Sequence, residues 1–340
     1  MRVLSIEEDL SNISSNVNLD SFSSKSILIT GGGGFLGSWI CDSLLKIGAK
    51  IFCLDNLSTG VYDNISHLKN EKNFSFLKYN VNQNLEISEK FDVIIHMASR
   101  PSPDDYVKFP VDTLDANSKG TYNILELGRK CNSTILFAST SEVYGDSNVI
   151  PTPENYWGNV NPVGIRSCYD EGKRFSEALL MAYHRQYRMN VKIVRIFNTY
   201  GPRIRADGAY GRALPRFILQ ALKNDNITIH GNGLQTRSFC YVTDTITGIL
   251  RCLVSKETIA RPINIGNPNE ITILELARKI ISETNSSSSI SYIERPSDDP
   301  QRRCPDISTA NKILSWTPEV DLDKGLQKTI SWFRNTIIKK

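Results

Sequence analysis

From Thr30 to Gly37 the chain reads Thr-Gly-Gly-Gly-Gly-Phe-Leu-Gly, and no other stretch constrains its folding as strongly. An apolar run, Ser26-Ile-Leu-Ile-Thr30, precedes it, and Ser-Trp-Ile-Cys-Asp-Ser-Leu-Leu-Lys follows. The order is a short strand, a glycine turn and an amphipathic helix. Gly31, Gly34 and Gly37 have GxxGxxG spacing. Glycines there let the backbone turn tightly and approach a pyrophosphate, and the helix start adds free N–H groups and a positive dipole end. A second apolar run, Ile51–Leu54, ends on Asp55. A carboxylate there accepts hydrogen bonds from adenosine ribose hydroxyls and repels a 2′-phosphate. The expected cofactor is therefore NAD rather than NADP. Its expected holders are Gly31, Gly34, Phe35, Leu36, Gly37 and Asp55, with Asn56, Ser58, Thr59 and Gly60 in the loop beyond.

Further strand-like runs at 74–79, 93–97, 135–138 and 191–196 alternate with helical stretches, notably 111–130 and 170–189. Such alternation predicts a doubly wound α/β fold, a parallel sheet covered on both faces. After Gly201 the texture shifts to loops and shorter elements. This predicts a dinucleotide-binding domain over 25–200 and a smaller substrate region over 201–340, with a strand near 262–265 returning to the main sheet. Residues 1–24 are acidic and Ser/Asn-rich and lack the pattern of a signal peptide, so a loose or partly helical arm is expected there.

Composition narrows the function. The chain has 340 residues, 40% of them apolar and 22% charged, which fits a globular protein with a large core. No apolar run is long enough for a membrane span. The net charge of +4 comes without a Lys/Arg block, so nucleic acid is not an expected partner. The seven cysteines (41, 53, 131, 168, 240, 252 and 304) are odd in number and form no CxxC pair. No zinc or other metal site is expected, and the reducing cytoplasm is the natural location.

Tyr169 and Lys173 stand four apart in a helical segment and so share a face. A free phenol has a pKa of about 10. A neighbouring ammonium and a cationic nicotinamide ring both favour its ionised form. Upstream, Ala138-Ser-Thr-Ser-Glu-Val-Tyr-Gly145 follows an apolar run. Thr140, Ser141 and Glu142 thus lie at the C-terminal end of a strand, where open α/β sheets carry their sites.

The segments TGGGGFLG, STSEVYG, YDEGK, RIFNTYGPR and GNGLQTRSFCYVTD occur in that order. Together they resemble the extended short-chain dehydrogenase/reductase superfamily, with its Rossmann-type fold, from about Lys25 to the C-terminus. Within the nucleotide-sugar branch, YWGNVNPVGIRSCYDEGKR and DDPQRRCPDI most resemble the UDP-glucuronate decarboxylases, which make UDP-xylose. The resemblance implies C4 oxidation by tightly bound NAD, loss of CO2 from the 4-keto acid, and re-reduction. The sister 4,6-dehydratases carry an Asp where Ser141 stands, and 4-epimerases usually lack Glu142. Either sister activity, or a non-catalytic NAD-binding regulator, is the alternative.

The resemblance assigns catalysis to Thr140, Glu142, Tyr169, Lys173 and Arg303. Glu142, Arg303 or a bound water is expected to reprotonate C5. The UDP-sugar is expected to meet Tyr106, Ser141, Asn198, Arg203, Gln235, Arg237 and Arg303. Arginine forks suit its diphosphate and carboxylate. His230 stands where the family usually has a Tyr near uracil, and Arg100-Pro101 replaces the commoner Pro-Ala. Arg205, Arg212 and Arg216 are as readily surface charges as site residues, and Arg302 is expected to be solvated. His67, His96 and His184 are expected to be structural, Asp170 a helix-start carboxylate and Cys168 a packed thiol. Relatives pair the equivalents of 111–130 and 170–189 across a subunit interface, which implies a homodimer.

Overall fold

The computed structural model describes residues 2–85, 87–205, 212–295 and 299–338. In chain order the elements are α1 (Arg2–Asn16), β1 (Ser26–Thr30), α2 (Phe35–Lys46), β2 (Lys50–Asp55), β3 (Phe74–Lys78), β4 (Val93–His96), α3 (Pro103–Lys108), α4 (Pro110–Asn117), α5 (Lys119–Cys131), β5 (Thr134–Thr140), α6 (Ser167–Tyr187) and β6 (Val191–Ile196). They continue with β7 (Thr199–Tyr200), α7 (Ala213–Lys223), β8 (Ile227–His230), β9 (Thr236–Ser238), β10 (Cys240–Tyr241), α8 (Val242–Val254), β11 (Pro262–Ile265), β12 (Glu270–Thr272), α9 (Ile273–Thr284), β13 (Ile290–Ile293), α10 (Ser308–Leu314) and α11 (Leu322–Phe333).

Seven strands form one parallel sheet in the order β11-β6-β5-β4-β1-β2-β3. The central strands are apolar along their length, as a sheet buried on both faces requires. One core cluster, including Ile27, Trp39, Leu44 and Ile246, packs on one face, and a second, including Leu28, Ile94, Ile124 and Leu180, packs on the other. The strand order reverses between β1 and β4, and at such a switch point the carboxyl ends of the strands open a crevice. The strand expected near 262–265 is β11, the edge strand beside β6.

Of two alternatives one is decided, and one expectation gives way. The N-terminal segment, expected as a loose or partly helical arm, is helical over Arg2–Asn16 and packs on the core. Helix α1 buries Leu10 and Ile13, and Asp9 Oδ1 pairs with Lys328 Nζ at 2.5 Å while its Oδ2 accepts from Tyr241 Oη at 2.7 Å. The single stretch expected over 111–130 is two helices, broken at Ser118. There the Asn117 carbonyl turns to Ser176 Oγ of α6, and Ser118 Oγ bonds back to Leu114 O.

Candidate active site

A cleft of about 440 Å³ runs along the carboxyl ends of β1, β2, β4, β5 and β6 and is closed by the chain beyond Thr199. At one end is the glycine turn. Gly31 adopts φ +71°, and a Cβ there would come within 2.8 Å of Ala98 N. At Gly37 a Cβ would strike Gly31 O at 2.2 Å, so the helix packs onto the turn only because that atom is missing. Asp55, at the end of β2, accepts from Gly33 N at 2.9 Å and Leu57 N at 2.7 Å. Burial raises its pKa, and those two N–H groups work against the rise. Each oxygen keeps a further lone pair for a ribose hydroxyl. This glycine-walled cradle with a carboxylate at its end fits a dinucleotide. Phe35, Leu36, Asn56, Ser58, Thr59 and Gly60 line the same end.

Thr140 ends β5, and its hydroxyl accepts from Glu142 N at 3.2 Å, starting a single 3-10 turn over Ser141–Tyr144. Tyr169 and Lys173 project from α6 toward that strand end. Tyr169 stacks on Tyr106, with ring centroids 5.2 Å apart and planes 7° apart. Lys173 Nζ donates to Ala138 O at 2.8 Å and lies 5.9 Å from the Tyr169 ring centroid. Burial pushes the Lys173 pKa down to about 7, partly countered by Glu177. Burial also raises the Tyr169 pKa above the usual phenol value, against a lowering hydrogen bond from Thr140. Lys173 by itself thus does not produce the lowered phenol that its spacing suggests.

Glu142 is held by two arginines. Arg303 Nη1 meets Oε1 at 2.5 Å and Arg303 Nη2 donates to Oε2 at 2.8 Å, while Arg166 Nη2 bonds to Oε2 as well. Burial alone would raise the Glu142 carboxyl, but Arg303 and then Arg166 outweigh it and hold the pKa below the ordinary range. Arg166 was not among the expected site residues. Its only sequence signal is its place one turn before Asp170 at the start of α6. Asp170, expected as a helix-start carboxylate, does sit in the first turn of α6, where it is buried beside this clamp.

At the far end, Arg237 Nη2 donates to Asp299 Oδ1 at 2.9 Å, and Gln235 Nε2 donates to His230 O at 2.7 Å. His230 Nε2 is 3.3 Å from Arg216 Nη1. Burial and then Arg216 lower the His230 pKa, so the ring is neutral at pH 7. Tyr106 Oη and Asn198 Nδ2 are buried without a hydrogen-bond partner among the described residues, as groups awaiting a ligand would be. Ser141 lines the cleft beside them.

Arg203 departs from its expected role. It takes φ +73°, and its side chain turns beneath α2 instead of into the cleft. Nη1 faces Asp42 Oδ2 at 2.6 Å, an ion-pair contact whose angle is not that of a hydrogen bond. The guanidinium stacks 5.0 Å from the Trp39 ring. The cations that do line the cleft include Arg205, Arg212 and Arg216. His67 is structural, as expected, bonded to the other oxygen of Asp42 at 2.8 Å. So is His96, buried between Thr30 and Thr121. Arg302 pairs with Glu270 on the surface.

Residues 27–266 match the model of the NAD dependent epimerase/dehydratase family. UDP-glucuronic acid decarboxylase 1 of Xenopus tropicalis is 44% identical over 92% of this chain and 73% of its own length. UDP-glucuronic acid decarboxylase 5 of Arabidopsis thaliana is 45% identical over 89% of this chain and 88% of its own. Among solved structures, an epimerase from Methanothermobacter thermautotrophicus superposes with a TM-score of 0.87 at 27% identity, covering 96% of this chain and 95% of that one. The UDP-glucose 4-epimerase of Thermotoga maritima, solved with UDP-glucose, gives 0.84 at 27% identity, covering 92% and 99%. With its glycine-walled cradle, its Tyr169–Lys173 helix and a match over most of its length, the chain belongs to the NAD dependent epimerase/dehydratase family.

Proposed function

We propose that the protein decarboxylates UDP-glucuronate to UDP-xylose with NAD as a bound, recycled cofactor. The observation that carries this reading is the juxtaposition of Arg303, Glu142 and Arg166 with Thr140 and Tyr169 in one cleft. An arginine clamp beside the sugar C4 position suits a substrate with a carboxylate at C5. The likeness to decarboxylases of animals and plants supports the same reading.

Bound NAD would supply a recyclable hydride acceptor for sugar C4 and a positive charge that favours the Tyr169 phenolate. The residues of the glycine turn and Asp55 would hold it, and Lys173 would anchor its nicotinamide ribose. Tyr169 Oη takes the C4 hydroxyl proton. The resulting 4-keto uronate is a β-keto acid, and CO2 leaves as its C5 bonding pair moves into an enolate. Thr140 Oγ1 and Tyr169 Oη donate to O4 and stabilise the charge that develops there. Arg303 orients the carboxylate. Glu142 is kept ionised by its arginines and Arg303 cannot release a proton at neutral pH, so a water held at Glu142 protonates C5. Tyr169 finally returns its proton to O4. Asn198, Gln235 and Arg237 bind the UDP portion, while Tyr106 flanks the sugar. In this scheme residues 25–200 hold the cofactor and those after 201 close over the nucleotide sugar.

Exposed apolar side chains on α4 to α6, including Val111, Leu114, Tyr122, Phe175 and Tyr187, support a homodimer through these helices. All seven cysteines are unpaired, which fits a cytoplasmic protein. Among the described residues no helix is long and apolar enough to cross a membrane. The test is incubation with NAD and UDP-glucuronate, read by mass spectrometry. UDP-pentose without net NADH is expected. Accumulation of NADH with a 4-keto pentose, or no loss of CO2, would rule the reading out.

A further inference from the structure

Asp170 follows Tyr169 in the first turn of α6, and only 8% of its side chain is exposed. Its Oδ1 is buried with no hydrogen-bond partner among the described residues, and its Oδ2 is 3.9 Å from Arg166 Nε. Arg166 has already given Nη2 to Glu142. A buried carboxylate gathers donors, and among the described residues this one has no hydrogen bond at Oδ1 and only the long ion-pair contact of Arg166 at Oδ2. That is the environment of an uncharged acid.

The titratable groups around it come from several elements. Arg166, Cys168, Tyr169 and Glu171 lie at or near the start of α6, Tyr106 on α3, Glu142 on the turn after β5, and Arg303 on the C-terminal loop. Burial keeps Tyr106, Tyr169 and Cys168 uncharged. Glu171 is taken by Arg174 at 3.5 Å, and Arg237 pairs away from Asp170 with Asp299, which Arg295 shares. Among the described residues, the charged groups left acting on Asp170 are two cations, Arg166 and Arg303, and one anion, Glu142.

We propose that Asp170 is a specificity-determining positioning residue. Uncharged, it leaves the Arg166–Glu142–Arg303 clamp one positive charge in excess, and that excess selects a sugar carrying a carboxylate over its neutral counterpart. Ionised, Asp170 claims Arg166 and cancels the excess. The inference rests on the uronate reading above. Burial and then the nearby Glu142 set the titration of Asp170 at about 8. The advantage of the carboxylate is therefore full below that pH and is lost above it.

The test uses the NAD-loaded enzyme from about pH 6.5 to 9.5, reading KM for UDP-glucuronate and Ki for UDP-glucose as competitor. Lys173 and Tyr169 act on both ligands, so the ratio Ki/KM isolates the carboxylate. In the wild type the ratio should be flat at low pH. Above Asp170's titration it should fall by up to about tenfold per pH unit, the limit for one linked proton. Asp170→Asn should hold the low-pH ratio throughout, and Asp170→Glu should keep the fall. A flat wild-type ratio, or the same fall in Asp170→Asn, overturns the inference while leaving the decarboxylase reading intact. If Asp170→Asn does not fold, the wild-type and Asp170→Glu profiles decide. Absence of UDP-glucuronate turnover at every pH overturns both.

Discussion

Arg303 and Glu142, 161 positions apart in the chain, meet through paired contacts of 2.5 and 2.8 Å on the wall of the cleft. The arginine is thereby pre-oriented before any carboxylate arrives. Replacing it by alanine removes the fork and leaves Glu142 with Arg166 alone. Arg303→Ala should raise KM for UDP-glucuronate by roughly 10- to 100-fold, the loss of a charge-assisted bidentate contact of about 1.5–3 kcal/mol. Inhibition by UDP should change little. Steady-state kinetics with UDP as competitor checks this, and an unchanged KM would remove Arg303 from the substrate site.

Tyr169→Phe keeps the stacking against Tyr106 and removes only the proton carrier. Turnover should fall by about 10²–10⁴, the usual worth of a general acid–base group, with binding of UDP-glucuronate retained. Single-turnover mass spectrometry alongside calorimetric binding separates the two. Near-normal turnover would refute the proton-transfer scheme.

Lys173 titrates at about 7 in the cofactor-free protein, well below its ordinary value, because it is buried. Between about pH 7 and 10 the unfolded chain then binds more protons than the folded one, so stability rises with pH through this window and is lost as pH falls. The slope from this group is at most roughly 1.4 kcal/mol per pH unit. Denaturant midpoints of the cofactor-free wild type should climb relative to Lys173→Met over this range. Parallel curves would contradict the burial account.

Arg203 and Arg205 should separate cleanly. Arg203→Ala strips the buried Asp42 of its cation and should lower stability by about 3–5 kcal/mol, with KM nearly unchanged. Arg205 lines the cleft, where Nη1 donates to Thr59 O at 3.3 Å, so Arg205→Ala should instead act mainly on ligand affinity. Thermal melts and KM on both variants test the contrast.

Helix α1 is expected to matter for stability and not for chemistry. Ile13 is fully buried against the core, so Ile13→Ala should cost about 2–4 kcal/mol in denaturant unfolding and leave kcat within twofold. A negligible loss would mean that the helix is not docked in solution.

The amino-acid sequence by itself determined the parts of this protein that local geometry encodes. The strand–glycine–helix start, Asp55 at a strand end, the four-residue spacing of Tyr169 and Lys173, and the return of 262–265 to the sheet were all legible, because periodicity and glycine content constrain the backbone nearby. Tertiary structure decided which charges meet. Nothing local to Arg203 says that a left-handed backbone will turn it under α2 onto Asp42. Nothing local to Arg166 or Asp170 says that they will be buried beside a glutamate from another strand end and an arginine from the C-terminal loop. Nor does the polar sequence of the first helix announce that Asp9 will pair with Lys328. Ion pairs form where burial makes them mutually necessary, and burial is a property of packed elements rather than of neighbours in the chain.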